Sequence, residues 1–206
     1  MRILVTGGAG FIGSHVVDAF VAAGHHVAIV DNLASGRREN LNPKATFYEV
    51  DIRDTELLPE IFAREQPDVV SHHAAQISVG RSVTEPLYDA EVNVLGTLNV
   101  LECARGLQLA GQAVHIITIS SAAVYGPPES LPIDEDHPLH PLSPYGASKR
   151  ATEIYMDVYR QTHGLRTTVL RYGNVYGPRQ DPLGEAGVIA IFINKMLAGE
   201  MPVING

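Results

Sequence analysis

The stretch Thr6-Gly7-Gly8-Ala9-Gly10-Phe11-Ile12-Gly13 joins a short β-branched run to an apolar helical pattern, and it decides the fold. Its glycines can be parsed as Gly7, Gly10 and Gly13, or as Gly8, Gly10 and Gly13. In either parsing, one glycine allows the sharp turn, another removes the Cβ that would block a pyrophosphate, and Gly13 lets the helix pack closely on the strand. Free N–H groups and the positive helix end then hold the phosphate charge. The flanking strand and helix are the context that a dinucleotide-binding turn requires.

Short apolar runs alternate with longer helical patterns along the rest of the chain. This alternation predicts an α/β fold, a doubly wound parallel sheet with right-handed crossovers. We expect residues 1–172 to form a dinucleotide-binding domain and residues 173–206 to begin a substrate-binding segment, because the pattern becomes irregular near residue 173. The predicted strands are 2–6, 26–30, 46–50, 68–72, 113–119 and 167–170, and the predicted helices are 11–23, 54–65, 85–109, 144–163 and 187–199.

Polar or small residues follow several of these strands, at the sheet edge where ligands bind. Asp31 ends the second strand, where a carboxylate accepts both adenosine ribose hydroxyls and repels a 2′-phosphate, which favours NAD over NADP. The alternative for Asp31-Asn32 is a turn or helix cap. Asp51-Ile52 follows the third strand and either reaches the adenine or caps the next helix. His73-Ala74-Ala75, after the fourth strand, allows close passage of a cofactor or tight packing.

Tyr145-Gly146-Ala147-Ser148-Lys149 begins a predicted helix, which places Tyr145 and Lys149 one turn apart on one face. A free tyrosine has a pKa of about 10 and is a poor base at neutral pH. A neighbouring ammonium and an oxidised nicotinamide ring both stabilise the phenolate, so the pair suits general acid–base chemistry. The alternative is a half-buried tyrosine beside a solvated lysine.

Two serines, Ser120 and Ser121, directly follow the fifth strand. A hydroxyl at this edge can bond a substrate oxygen and stabilise charge that develops on it. Alternatively, these hydroxyls satisfy backbone groups at the strand end. The glycine turn, the hydroxyl donor and the Tyr145/Lys149 pair converge on one edge of one predicted sheet.

Composition excludes several classes of protein. The chain has 206 residues, 15 Lys plus Arg and 23 Asp plus Glu, for a net charge of −8. This acidic balance gives no electrostatic reason to expect nucleic acid or an anionic membrane as a partner. One cysteine, Cys103, suits a reducing compartment, so we expect a cytoplasmic protein. No apolar run has the length of a membrane span, and no histidine shows zinc-type spacing with the cysteine, so no metal site is predicted.

The motifs at 6–13, 31–33, 120–126, 145–149 and 170–178 together resemble extended short-chain dehydrogenases/reductases, and more closely the NAD-dependent epimerase/dehydratase family. The resemblance runs over essentially the whole chain. It implies a Rossmann-type fold, NAD as cofactor, and C4 epimerisation of a nucleotide sugar of the UDP-glucose/UDP-galactose type through a transient 4-keto sugar. Members are usually considerably longer, so the C-terminal substrate segment is expected to be incomplete here.

The resemblance also implies roles for individual residues. Tyr145 is the base at the sugar 4-hydroxyl, Lys149 its partner and a ligand of the nicotinamide ribose, and Ser121 the second hydroxyl. The implied substrate-binding residues are Gln76, Ser121, Ala122, Tyr145 and Asn174. The implied cofactor-binding residues are Gly7, Gly10, Phe11, Ile12, Gly13, Asp31, Asn32, Ser35, Gly36, Asp51, Ile52, His73, Ala74, Ala75, Asn93, Ser120, Tyr145, Lys149 and Tyr172. The helices 85–109 and 144–163 are expected to pair with those of a second subunit.

Three functions remain open from the sequence. Dehydratases of similar architecture carry an acidic pair where this chain has Ala122 and Ala123, so the resemblance favours epimerisation over dehydration. A nucleotide-sugar dehydrogenase, reductase or decarboxylase of the same fold is the first alternative. A non-catalytic NAD-binding protein is the second. The sugar itself, whether glucose/galactose, an N-acetyl form or a uronic acid, is not specified by these residues.

Overall fold

The computed structural model describes residues 1–181 and 187–203. Six strands alternate with helices along the chain. The elements in chain order are β1 (Arg2–Thr6), α1 (Phe11–Ala22), β2 (His26–Asp31), β3 (Thr46–Glu49), α2 (Leu57–Glu65), β4 (Val69–His72), α3 (Val79–Thr84), α4 (Pro86–Ala90), a π-helical segment (Glu91–Leu95), α5 (Gly96–Leu109), β5 (His115–Ser121), α6 (Pro144–His163), β6 (Arg166–Tyr172) and α7 (Val188–Leu197). Two short 3₁₀ turns lie at Arg38–Asn40 and Ala122–Val124.

The six strands form one sheet in the order β3-β2-β1-β4-β5-β6, and all pairs are parallel. Chain order runs outward from β1 in one direction and outward from β4 in the other. Such a reversal opens a crevice at the carboxyl ends of the two central strands, where ligands bind in doubly wound sheets. The predicted doubly wound α/β fold is therefore confirmed.

The sheet is buried on both faces, as a central parallel sheet requires. Leu4 and Val30 belong to a core cluster with Phe62 of α2 and Leu101 of α5. Side chains that alternate with these along β1 and β2 point to the other face and pack with Val17 of α1. Because all the strands are parallel, their carboxyl ends lie at one edge of the sheet, between the two layers of helices.

Several helix boundaries differ from the sequence prediction for local reasons. The helix predicted over 54–65 begins at Leu57, because the Asp54 carboxylate accepts hydrogen bonds from the Glu56 and Leu57 N–H groups and stands before the first turn. The helix predicted over 85–109 begins at Pro86 and contains the π segment Glu91–Leu95. The short helix α3 was not predicted from the sequence, and the end of the apolar run near the C-terminus, 204–206, lies outside the described residues.

The chain divides into two compact units, Met1–Tyr172 and Gly173–Gly206. The first contains the whole sheet, and the described part of the second contains α7. Their assignment to cofactor and substrate binding stays a prediction. Among the described residues, none of the helices combines the length and the apolar character that a bilayer crossing demands.

Leu101 gives a test of the core. Its side chain is fully buried in the cluster that α5 forms with the sheet, whereas Leu109 on the same helix is 76% exposed. We expect Leu101→Ala to lower the free energy of unfolding by about 2–5 kcal/mol, because it removes buried methyl groups and leaves a cavity. Leu109→Ala should change it by less than about 0.5 kcal/mol. Urea denaturation measures both variants, and equal effects would contradict this core.

Candidate functional site

The glycine turn after β1 approaches the end of β4 so closely that no side chain fits between them. Gly7 has φ +71°, and its N–H donates to the Val30 carbonyl oxygen at 2.8 Å. A Cβ on Gly7 would lie 2.6 Å from the backbone nitrogen of Ala74. A Cβ on Gly13 would overlap the Gly7 carbonyl oxygen, so both positions require glycine.

The first turn of α1 leaves its positive end uncompensated. Gly10 is the N-cap residue and offers no side-chain acceptor, and the first turn carries no acidic residue. Phe11 and Ile12, at its start, are half-buried. A helix end of this kind, preceded by glycines, suits a diphosphate.

Asp31 lies at the end of β2 and accepts a hydrogen bond from the glycine turn. Its Oδ2 accepts from the Ala9 N–H at 3.0 Å and its Oδ1 from the Leu33 N–H at 2.8 Å. Gly36 packs over it, and a Cβ there would lie 2.8 Å from Oδ1. Burial raises the pKa of Asp31, while the two backbone hydrogen bonds act in the opposite direction. The Asp31 carboxylate therefore bonds the backbone of the local turns and also lies at a strand end, a position suited to binding a ribose.

Asp51, after β3, is joined to Asn32 after β2. The Asn32 Nδ2 donates to Asp51 at 2.7 Å, and Arg53 donates to the same carboxylate from its backbone and its guanidinium. The Arg53 hydrogen bond is the main reason that the pKa of Asp51 is lowered to about 2. The N–H of Leu57, the first residue of α2, donates to Asp54, whereas the backbone N–H that donates to the Asp51 carboxylate is that of Arg53. The side chain of Ile52 is buried in the core.

A buried histidine ties the ends of β1 and β4 to α5. His72 Nδ1 lies 2.6 Å from Thr6 Oγ1, and its Nε2 lies 3.0 Å from Thr97 Oγ1. Because Thr97 donates its own hydrogen to the Asn93 carbonyl oxygen, it accepts from Nε2–H, and Nδ1 accepts from Thr6. The Ala74 N–H then donates to Thr6 Oγ1. Burial lowers the pKa of His72 to about 3, so this neutral tautomer persists at neutral pH.

A second buried polar cluster lies beside the π segment. Asn93 accepts from the Gln76 N–H at 2.8 Å and donates to Ser148 Oγ at 3.0 Å. Asp89, 1% exposed, accepts from Gln76 Nε2 at 2.7 Å and from Asn93 Nδ2 at 3.2 Å. Ser148 donates to the Tyr145 carbonyl oxygen at 3.0 Å. This cluster fixes the first turn of α6, and the Gln76 amide is engaged within it.

Lys149 is buried at the end of β5. Its Nζ donates to the Ile119 carbonyl oxygen at 3.0 Å and lies 5.9 Å from the centroid of the Tyr145 ring. Burial lowers the pKa of Lys149 to about 8, and the charge of Asp89 opposes that fall. Tyr145 is half-buried. Ser121, two residues after Ile119, accepts the Ala123 N–H at 3.1 Å.

Ser120 and Ser121 face different surroundings. The buried Ser120 hydroxyl donates to Glu153 of α6 at 2.6 Å, and Arg171 of β6 holds the same carboxylate at 2.9 Å. Arg171 also donates to the Tyr125 hydroxyl at 3.0 Å. Sequence reasoning missed this cluster and Asp89. For Asp89, one signal was available, since it precedes Asn93 by one helical turn on the buried face.

The other sequence-predicted residues are distributed over both units. Ser35 and Ala122 are exposed, and Ala75 and Tyr172 are half-buried, as is His73, whose Nε2 lies 2.9 Å from Ser71 Oγ. Asn174 is exposed within the second unit. In residues 1–181 and 187–203, no three His, Cys, Asp or Glu side chains are grouped as metal ligands.

The strand order, the glycine turn and the acidic end of β2 define a dinucleotide-binding protein of the doubly wound class. The chain belongs to the NAD dependent epimerase/dehydratase family, whose model matches residues 3–206. The predicted family is thus confirmed, and with it NAD as the cofactor at the level of the family.

Individual relatives are similar over almost the whole chain. A putative UDP-glucose 4-epimerase of Methanocaldococcus jannaschii is 52% identical over 99% of this chain and 66% of its own length. The Thermotoga maritima UDP-glucose 4-epimerase solved with UDP-glucose has a TM-score of 0.95 and 50% identity, covering 100% of this chain and 66% of that one. The Thermus thermophilus UDP-glucose 4-epimerase solved with NAD has a TM-score of 0.91 and 52% identity. That match covers 98% of this chain and 64% of the other. The chain therefore spans slightly less than two thirds of these relatives.

Gly13 provides a test of the cofactor turn. We expect Gly13→Ala to weaken NAD binding at least about tenfold, because the new methyl group overlaps the Gly7 carbonyl and displaces the turn. Gly106→Ala is the matched control, since a Cβ there meets open space on α5. It should bind NAD normally and unfold at a slightly higher temperature. Isothermal titration calorimetry and thermal unfolding measure both; unchanged NAD affinity in Gly13→Ala would refute the assignment.

Proposed function

We propose that the protein catalyses NAD-dependent epimerisation at C4 of a UDP-hexose of the UDP-glucose/UDP-galactose type. The observation that carries this proposal is the placement of Lys149, buried at the carboxyl end of β5, beside Tyr145 on α6. A buried ammonium beside a phenol serves proton transfer, which a protein that only bound NAD would not need. The names of the relatives supply the substrate class.

The residues at the sheet edge fit NAD. A diphosphate suits the uncapped start of α1, and the Asp31 carboxylate suits a ribose without a 2′-phosphate. Ala74 and Ala75 keep the end of β4 free of bulky side chains. When bound, NAD⁺ supplies a hydride acceptor that returns the hydride later in the cycle.

In the proposed reaction, Tyr145 accepts the proton of the sugar 4-hydroxyl while C4 loses hydride, which leaves a 4-keto sugar. The Lys149 ammonium stabilises the phenolate, and the Ser121 hydroxyl donates to the developing charge on the sugar oxygen. After the 4-keto sugar presents its other face, hydride returns to C4 and Tyr145 returns the proton. Protons and electrons balance within one cycle, so the net reaction is isomerisation. Asn174 of the second unit is proposed to contact the nucleotide sugar.

Tyr145→Phe tests the proposed base. The variant lacks the phenol oxygen, so we expect kcat for UDP-galactose conversion to fall about 10²–10⁴-fold while NAD affinity is retained. Tyr155→Phe, on the exposed side of the same helix, is the control and should be fully active.

NMR of the sugar products and NADH absorbance separate the alternatives. Full activity in Tyr145→Phe would overturn the proposed base. A stoichiometric, lasting rise in NADH absorbance with wild-type protein would instead indicate a dehydrogenase. NAD binding without any turnover by wild-type protein would indicate a non-catalytic role.

We also propose that α5 and α6, with the segments that precede α5, pair with a second copy of the chain. The π segment and α6 expose apolar side chains, with Leu95 58%, Ile154 50% and Val158 42% exposed. Ile154 and Val158 lie one turn apart on α6 and share a face. Exposed apolar side chains that share a helix face are typical of interfaces between subunits.

Val158→Glu tests the dimer. Because a charge on the paired face must lose its water, we expect the variant to sediment as a monomer where the wild type sediments as a dimer. Leu131→Glu, on an exposed apolar position outside these helices, should leave the dimer intact. Analytical ultracentrifugation measures all three proteins. A wild type that stays monomeric at high concentration would contradict this interface.

A further inference from the structure

A buried carboxylate lies close to the proposed acid–base pair without touching it. Asp89 on α4 is 1% exposed, and its carboxylate accepts hydrogen bonds from two neutral amides, those of Gln76 and Asn93. In the described part of the chain it forms no direct ion pair. An isolated buried charge is costly, so a compensating charge is expected nearby.

Lys149 is a buried cation on α6, the helix that packs against α4, and its neighbour Ser148 is joined to Asp89 through the Asn93 amide. Lys149 is 8% exposed, and its ammonium donates to the neutral Ile119 carbonyl. Asp89 is the group that favours the charged form of Lys149 against burial. The helices α4 and α6 that carry them pack against each other. Two buried opposite charges with neutral groups between them attract more strongly than they would in water.

A hydrogen-bond path also connects Asp89 to the backbone of Tyr145. Asn93 Nδ2 donates to Asp89 and to Ser148 Oγ, and Ser148 donates to the Tyr145 carbonyl oxygen. The π segment carries Asn93. The Asp89 carboxylate is therefore linked to the first turn of α6 by hydrogen bonds through Asn93 and Ser148.

We propose that Asp89 is a positioning residue of the active site: its buried carboxylate keeps Lys149 charged and, through Asn93 and Ser148, fixes the turn that carries Tyr145. The proposal rests on the proposed function for its catalytic meaning. The electrostatic coupling of Asp89 to Lys149 is independent of which sugar is the substrate.

Two buried carboxylates lie on the elements around Lys149, and they differ in their partners. Glu153, one turn further along α6, forms ion pairs with Arg150 and Arg171. Asp89 instead accepts from neutral amides.

His72 at the end of β4 and His73 directly after it have pKa values lowered to about 3 and about 4, mainly by burial, so both are neutral at neutral pH. Lys149 also faces the Tyr145 ring of α6 itself and a backbone carbonyl of β5. With Asp89 neutralised, burial would lower the pKa of Lys149 below its wild-type value of about 8.

The test replaces the charge and keeps the shape. Asp89→Asn retains an oxygen that can accept from Gln76 and Asn93, and Glu85→Gln removes an exposed charge one turn earlier as the matched control. In protein labelled with ¹³C at lysine Cε, with Lys149→Met to identify the signal, we expect the Lys149 pKa to fall by about one unit in Asp89→Asn. In Glu85→Gln it should remain at the wild-type value.

Kinetics provide a second readout that a purely structural role would not move. We expect the alkaline limb of the kcat profile to shift to lower pH by the same amount in Asp89→Asn, with KM for UDP-galactose within about twofold of wild type. An unchanged Lys149 pKa in a folded Asp89→Asn protein would overturn the proposal. If the Lys149 pKa shifts but no protein epimerises UDP-galactose, the proposed function fails and the coupling stands.

A variant that does not fold is also informative. If Asp89 and Lys149 compensate each other, the double variant Asp89→Asn/Lys149→Met should unfold at a higher temperature than the sum of the two single changes predicts. Refolding of Asp89→Asn by the added Lys149→Met would support the proposal. Additive losses in this cycle, or a double variant that stays unfolded, would overturn it.

Discussion

The backbone contact between the first glycine turn and the end of β4 is the constraint on which the rest of this site depends. Gly7 stands so close to Ala74 that a single methyl group would separate the two strand ends. With the turn held there, α1 starts beside the point where strand order reverses. Within Met1–Tyr172, the other candidate site residues lie at or after the carboxyl ends of strands, or on α1, the π segment or α6.

From this contact a chain of buried hydrogen bonds reaches the first turn of α6. Each member donates or accepts in a defined sense, because the Thr97 hydroxyl is committed to the Asn93 carbonyl and this sets the His72 tautomer. The chain therefore connects the end of β1 to the backbone of Tyr145 through hydrogen bonds. Its members in order are Ala74, Thr6, His72, Thr97, Asn93, Ser148 and Tyr145.

The sequence was sufficient for the fold because the determining signals are local. β-branched runs, glycines in fixed context and helical periodicity predicted all six strands within a few residues. The π segment was not predictable from local sequence. Its Asn93 side chain bonds to Gln76 and Ser148, which lie in other parts of the chain. The hydrogen bond that Ser120 donates to Glu153 likewise depends on tertiary packing. The roles of the site residues stay predictions, although the elements that carry them are established.

Asp31 has a consequence for attempts to redesign coenzyme preference. The carboxylate that would reject a 2′-phosphate is also the group to which the Ala9 and Leu33 amides are bound, beneath Gly36. Exchanging it for a small or basic residue would leave two backbone N–H donors without this acceptor and loosen the loop proposed to bind the diphosphate. Under the role proposed for Asp31, coenzyme selectivity and loop order depend on the same side chain, and a switch to the phosphorylated coenzyme must install a replacement acceptor along with any new arginine.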